Sequence, residues 1–168
     1  MAVFSHSGTT LSVAERIAEA TGADLFRIET TDAYPDDYDA MTSQVRREQD
    51  EGYLPPIAAA EPDWDAYDAV YLGNPIWWGR LPHVMRSFLL QHDLAGEGGA
   101  AALALASLRS AGVAPFCPSG GSGIDGALAD IRDLCPGANL LDGLTVERSA
   151  LPDALDQVAP WIEGLGLA

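Results

Sequence analysis

Three short stretches hold the residues best suited to chemistry. "SHSGTT" sets four hydroxyls, Ser5, Ser7, Thr9 and Thr10, around Gly8. It separates an apolar run from an amphipathic one, so it reads as a strand-to-helix turn. Such a turn directs free N–H groups and the positive helix end outward, which suits an anion. One hydroxyl is enough to cap a helix, and four exceed that need. Gly8 allows close approach of a ligand to the backbone. His6 is the only candidate cation in the stretch, so a phosphate monoester there would be held by neutral donors. "GNPIWWGRLP" places Trp77 and Trp78 side by side in a loop. Neighbouring side chains of an extended segment point opposite ways. One tryptophan is therefore expected to anchor the loop and the other to offer its face to a flat ring. "FCPSGGSG" places Gly120, Gly121 and Gly123 where backbone amides could meet the edge of a heterocycle. A core or interface role for the tryptophans, and an ordinary turn for the glycines, are the bland alternatives.

The elements that must position these loops alternate in type. Ala2–Phe4 reads as a first strand, and "TLSVAERIAEATG" as a helix closed by Gly22. "ADLFRIE" is a second strand, and "YDAMTSQVRREQDEG" a polar surface helix ending at Gly52. "AYDAVYLGNP" holds a buried strand, followed by the helix "LPHVMRSFLLQHD" with Pro82 in its first turn. "GVAPFCPSGGSG" is a strand entering the glycine loop; "IDGALADIRDLCPG" is the next helix and "ANLLDGLTV" the last strand. "LPDALDQVAPWIEGLG" is a closing helix, broken or kinked at Pro160. Strands alternating with helices imply right-handed crossovers and a parallel sheet covered on both faces. Ligands of such sheets sit at the carboxyl ends of the strands. All three unusual loops follow strands, so they converge on one edge. A phosphate grip, a flat aromatic surface and an amide-rich edge describe a site for a mononucleotide with a large ring, and FMN fits.

Composition narrows the function classes. The chain has 168 residues, 48% hydrophobic and 20% charged, ordinary for a globular protein and expected to form a single domain over 1–168. Nine basic residues face 25 acidic ones, a formal net charge of -16. Such a surface repels nucleic acid and favours a partner with a basic docking face, or simply keeps the protein soluble. All nine bases are Arg, so no P-loop, Schiff-base or general-base lysine exists. Cys117 and Cys135 read as free thiols of a reducing, cytoplasmic setting. No leader pattern opens the chain, and the apolar run Ala100–Ala106 is too short to span a membrane. His6, His83 and His92 show no metal-ligand spacing.

"FSHSGTTL", "YLGNPIWWGRLP" and "PFCPSGGSGI" resemble the three flavin-contacting segments of the flavodoxin family, in particular a bacterial branch with a "PIWWG" loop. "YPDDYD" and "DLCPGANLLDGL" resemble that branch too. The resemblance implies a flavodoxin-like, doubly wound α/β fold: a five-stranded parallel sheet of order 2-1-3-4-5 with helices on both faces. It implies that Ser5, Ser7, Gly8, Thr9, Thr10 and Leu11 hold an FMN phosphate. Pro75, Ile76, Trp77, Trp78 and Gly79 would flank the ribityl chain and ring, and Ser119, Gly120, Gly121 and Ser122 the opposite edge. Tyr34 would approach from the second-strand side. Two features depart from the family. The first strand is short, as if the start were truncated. Gly98–Gly112 is longer than the usual link, as an added helix or rearranged edge would be.

The function implied is FMN-dependent electron transfer, with the protein tuning the flavin. The acidic run Asp32, Asp36, Asp37 and Asp39 would help dock a basic redox partner. The alternative is an NAD(P)H-dependent FMN oxidoreductase of the quinone reductase type. Other users of similar sheets fit poorly. A receiver domain needs an acceptor Asp after the third strand and a later Lys; the strand ends Leu72-Gly73-Asn74, and Lys is absent. A low-molecular-weight phosphatase needs Cys and Arg in the first loop, which has neither. No nucleophile elbow is present. A pure interaction module leaves the tryptophan pair and the hydroxyl loop unexplained.

Overall fold

In the computed structural model, residues 1–58, 67, 69–91 and 112–167 are described. The strands are β1 (Ala2–Val3), β2 (Phe26–Arg27), β3 (Val70–Gly73), β4 (Val113–Ser119) and β5 (Leu144–Glu147). The helices are α1 (Thr9–Thr21), α2 (Tyr38–Glu51), α3 (His83–Gln91), α4 (Asp125–Leu134) and α5 (Val158–Leu165). The sheet has five strands in the order β2-β1-β3-β4-β5, every pair parallel, as expected. The expectation for Gly98–Gly112 lies, apart from Gly112 itself, outside the described residues.

β1 is short but fully used. Ala2 and Val3 pair with Phe26 and Arg27 on one side and with Leu72 and Gly73 on the other. Phe4 extends the ladder by donating to Gly73 O at 3.0 Å. Gly73 lies in close approach: a Cβ there would come 2.3 Å from Phe116 Cζ and 2.9 Å from Val3 Cγ2. The two sheet faces carry separate cores. One packs Met41, Val45, Val84, Phe88, Ala127 and Ile131 from α2, α3 and α4 against β-strand residues such as Leu72 and Cys117. The other packs Val13, Ile17, Val158 and Ile162 from α1 and α5 against Tyr71, Phe116 and Val146. Adjacent residues such as Phe116 and Cys117 thus serve opposite faces, as the pleat requires.

Helix ends follow their caps. α1 and α2 both stop at a left-handed glycine, Gly22 and Gly52, whose N–H closes on Ala18 O and Glu48 O. Asp37 caps α2 by accepting from Ala40 N at 2.9 Å. Two boundaries differ from expectation. The last strand begins at Leu144 rather than Ala138. Leu140 only bridges Val113, and Pro115, which has no N–H to give, interrupts the ladder before it resumes at Phe116↔Leu144. The closing helix is not continuous from Leu151: two 3-10 turns, Arg148–Ala150 and Asp153–Gln157, precede α5. The break falls before Val158. Pro160 sits in the first turn of α5, where a missing N–H breaks no helical bond. Among the described residues no helix is long and apolar enough to cross a membrane.

Buried Cys117, Tyr34 and Tyr71, each raised by burial, make stability depend on alkaline pH, the first two most strongly. Burial pushes the Cys117 thiol from 9.0 up to about 12, against the opposing effect of its hydrogen bond with Thr145. Burial, and after it the hydrogen bond and charge of Glu48, push the Tyr34 phenol well above 10.0. Both groups ionise in the unfolded chain before they do so in the folded one. Their contribution is therefore complete below about pH 9 and is lost as pH rises towards 12. Urea denaturation between pH 8 and pH 11 should show a falling midpoint, and the fall should be shallower in Tyr34→Phe. Equal slopes in the two proteins would contradict this.

Candidate functional site

The loops after β1, β3 and β4 meet at the carboxyl edge of the sheet around a cavity of about 410 Å³. His6, Ser7, Thr9 and Thr10 line it from the first loop, Pro75, Ile76, Trp77 and Trp78 from the second, and Pro118 and Gly120 from the third. Three stretches distant in sequence thus form one wall.

The first loop is built to leave donors free. Gly8, with φ 85°, is the N-cap of α1, and no side chain caps the helix there. Among the described residues the amides of Gly8, Thr9 and Thr10 meet no protein acceptor. Ser5 Oγ instead accepts from Leu11 N at 3.2 Å, and the Leu11 side chain packs into the α1/α5 core. Ser7 and Thr9 hydroxyls lie 3.0 Å apart. The loop therefore presents main-chain amides and two adjacent hydroxyls, while Ser5 and Leu11 brace it from behind.

The second loop is a tight turn under strain. Trp77 N donates to Arg80 O at 3.2 Å and Arg80 N to Trp77 O at 3.0 Å. Its central residues, Trp78 and Gly79, both have positive φ, 51° and 72°. Such a turn favours Asn or Gly at its first central position. A tryptophan there costs roughly 1–2 kcal/mol. The surroundings hold it in place. Trp77 packs edge-on against Phe4, Tyr34 and His6 at 5.0–6.2 Å between ring centres. Gln49 Nε2 donates to Trp77 O, and Trp78 Nε1 donates to Thr42 O. The Arg46 guanidinium lies over the Trp78 ring at 5.7 Å. Trp77 is the anchor, and Trp78, 59% exposed, is the face left open.

A buried carboxylate fixes the chain beyond the tryptophan turn. Asp130 of α4 is 1% exposed. It accepts from Arg80 Nε, from a second Arg80 nitrogen, from Leu81 N and from Arg86. Gly126, one turn earlier, lets Gly79 O lie where a Cβ would be 1.9 Å away. Neither contact was expected from sequence, because each joins residues more than 40 positions apart.

The third loop is partly turned inward. Buried Ser119 Oγ accepts from Gly121 N at 3.2 Å and Gly123 N at 3.0 Å, and lies 3.4 Å from Ser122 Oγ. Gly120 is the residue of this loop that lines the cavity, together with Pro118. Tyr34 is buried behind Trp77 and donates to Glu48 Oε2 at 2.8 Å; it braces the wall. Gly79 shapes the turn.

Sequence reasoning missed several lining residues: Asp36 before α2, Tyr38, Met41, Thr42 and Val45 on it, and Arg148 after β5. Exposed Tyr38 and buried Met41 and Val45 add an apolar lining from α2. By sequence α2 reads as a polar surface helix, so its cavity-facing residues were not assigned to the site. Arg148 could have been found from the sheet order, which puts the end of β5 beside the glycine loop. Among the described residues no cluster of His, Cys, Asp and Glu could hold a metal ion.

A family model described as Flavodoxin matches residues 1–165. A protein from Bacteroides eggerthii assigned to the flavoproteins has 25% identity and a TM-score of 0.76, over 99% of this chain and 96% of its own. One from Bacteroides uniformis has 26% identity and a TM-score of 0.76, over 96% and 95%. A flavoprotein from Lactobacillus acidophilus, solved in complex with FMN, has 19% identity and a TM-score of 0.67, over 90% and 94%. A search of the curated proteins found no match.

The Asp130 contacts make a stability prediction. Asp130→Asn leaves two guanidinium groups without their charge partner, at a cost of about 3 kcal/mol. The thermal midpoint should fall by roughly 6–12 °C. Trypsin should also cut faster after Arg80. An unchanged midpoint and cleavage pattern would show that the loop stands without this carboxylate.

Proposed function

The chain belongs to the flavodoxin family, and from that premise we propose that it binds FMN in this cavity and passes electrons to a protein partner. The carrying observation is the convergence of the hydroxyl loop, the tryptophan turn and the Gly120 loop on one cavity. The donor set fits the cofactor. Free amides of Gly8, Thr9 and Thr10, with the Ser7 and Thr9 hydroxyls, suit a phosphate. Trp78 and Tyr38 offer aromatic surface to a flat ring, and Pro75 and Ile76 give it an apolar lining. Pro118 and Gly120 bring main chain to its edge.

When bound, FMN supplies reversible electron transfer, and the protein supplies binding, orientation and electrostatics. Trp77, wedged among Phe4, Tyr34 and His6, holds the wall rigid. Met41 and Val45 exclude water from the α2 side. The rim is exposed, with Trp78 and Tyr38 (71% exposed) beside Asp36. Asp32 and Asp39 are exposed nearby, while Asp37 is engaged in capping α2. An aromatic rim flanked by acids favours a redox partner with a basic docking face.

Purified protein should absorb as a flavoprotein and release FMN on denaturation. With FMN bound and photoreduced, it should reduce a basic electron-transfer partner, and that rate should fall as salt rises. Steady NAD(P)H consumption with a quinone and no partner protein would favour the oxidoreductase reading instead. In flavin-stripped protein, Thr9→Ala should weaken FMN about three- to tenfold, the worth of one hydrogen bond. Trp78→Ala should weaken it about tenfold through lost stacking. FMN affinity unaltered by both changes would remove these loops from the site.

A further inference from the structure

We propose that Arg148 is a cationic contact for the FMN phosphate, so that the phosphate is held by an arginine from the far edge of the sheet as well as by the hydroxyl loop. The inference rests on the FMN reading above. Of the Arg residues described, Arg148 is the one that lines the cavity. Strand register places it. Ser119 pairs with Glu147, so the next residues, Gly120 and Arg148, leave the sheet side by side, and both line the cavity. From Arg148 the chain runs through the 3-10 turns to α5, which packs against α1. The arginine therefore enters from the side of the sheet where α1 begins, the side of the free Thr9 and Thr10 amides. The aromatic residues Trp78 and Tyr38 belong to segments on the other side, packed with α2 and α4.

Arg148 is also uncommitted. Arg16, Arg27, Arg46, Arg80 and Arg86 are each paired with a carboxylate; among the described residues no ion pair engages Arg47, Arg132 or Arg148, and of these three Arg148 lines the cavity. Its neighbour Glu147 is occupied in accepting from Ser149 N and Ser149 Oγ. An unpaired guanidinium in the cavity of a protein with net charge -16 is suited to an anionic ligand group. The phosphate is the anionic group that FMN has and riboflavin lacks, which separates this role from general wall contact.

The test compares the two flavins on flavin-stripped protein by fluorescence quenching, for wild type, Arg148→Gln and Arg148→Lys. FMN affinity should fall about tenfold in Arg148→Gln, as for an exposed charge-assisted hydrogen bond, while riboflavin affinity stays the same. Arg148→Lys should recover part of the loss, and Arg148→Gln should show a weaker salt dependence for FMN. An equal loss for both flavins, or no loss for FMN, overturns the proposal while leaving the FMN reading intact. A wild-type protein that takes up neither flavin removes that reading and the inference with it. Far-ultraviolet circular dichroism of each variant checks that the exposed substitution leaves the fold unchanged.

Discussion

The cavity depends on one carboxylate placed where water cannot reach it. An ion in the interior costs several kcal/mol unless donors surround it. Asp130 is surrounded: two guanidiniums and the Leu81 amide converge on its oxygens. All of these donors come from the segment just after the tryptophan turn or from α3. The carboxylate therefore acts as a tether between α4 and a loop whose apolar contacts, through Ile76 and Trp77, are with the core rather than with α4's buried acid. Gly126 completes the tether by letting the turn's backbone lie directly on the helix. These contacts add to the Trp77 packing and the Trp78–Thr42 hydrogen bond that hold Trp78 in a backbone conformation tryptophan disfavours. With them, the strain is maintained at the place where a ring must be offered outward.

The electrostatics look contradictory at the scale of the whole chain. A protein of net charge -16 should repel a phosphate. Distance decides the matter. At physiological salt the screening length is about 8 Å, so carboxylates scattered over the surface contribute little at any one point. A donor or cation within about 4 Å, where the effective dielectric constant is about 20, is worth about 4 kcal/mol per unit charge before desolvation is subtracted. The start of α1 contributes amides that no helix can satisfy internally, and it has no acidic residue in its first turn to cancel them. At short range the amides and hydroxyls of the loop thus act against the repulsion expected from the net charge.

Much of this was legible in the residue pattern, and what was not has identifiable reasons. The alternation of strands and helices predicted the sheet, and turn chemistry marked the three loops. One tryptophan of the pair was expected to anchor the loop and the other to be open, with neither role assigned to a particular residue; Trp77 is the anchor and Trp78 the open one. The roles within each loop were less legible. Leu11 and Ser5 bond to each other, Gly121 and Gly123 bond to Ser119, and Tyr34 serves Glu48. These are local hydrogen bonds whose partners depend on the final backbone path, which residue type alone does not specify. Met41 and Arg148 were missed because they reach the cavity through tertiary placement from segments with no unusual composition, whereas Asp36 reads as part of an acidic docking run and not as cavity lining. The last strand was overextended because "ANLLDGLTV" reads as one apolar run, and only the missing N–H of Pro115 in the neighbouring strand shows why the ladder stops.

The cavity is polar in the directional sense, and that bears on what a bound flavin would do. Arg148, which follows β5, and Asp36, which precedes α2, line the same cavity from different segments. With Arg148 on an anionic tail, as proposed, a flat ring would be directed towards the aromatic residues Trp78 and Tyr38. In that orientation the ring would share its part of the cavity with Asp36 and with apolar Ile76, Met41 and Val45, which line it. Both features oppose extra negative charge on the ring, the first by repulsion and the second by poor solvation. A protein arranged this way makes an added electron harder to hold and so easier to give away. The arrangement that orients the cofactor is, on this reading, also the one that would make the protein a donor of electrons.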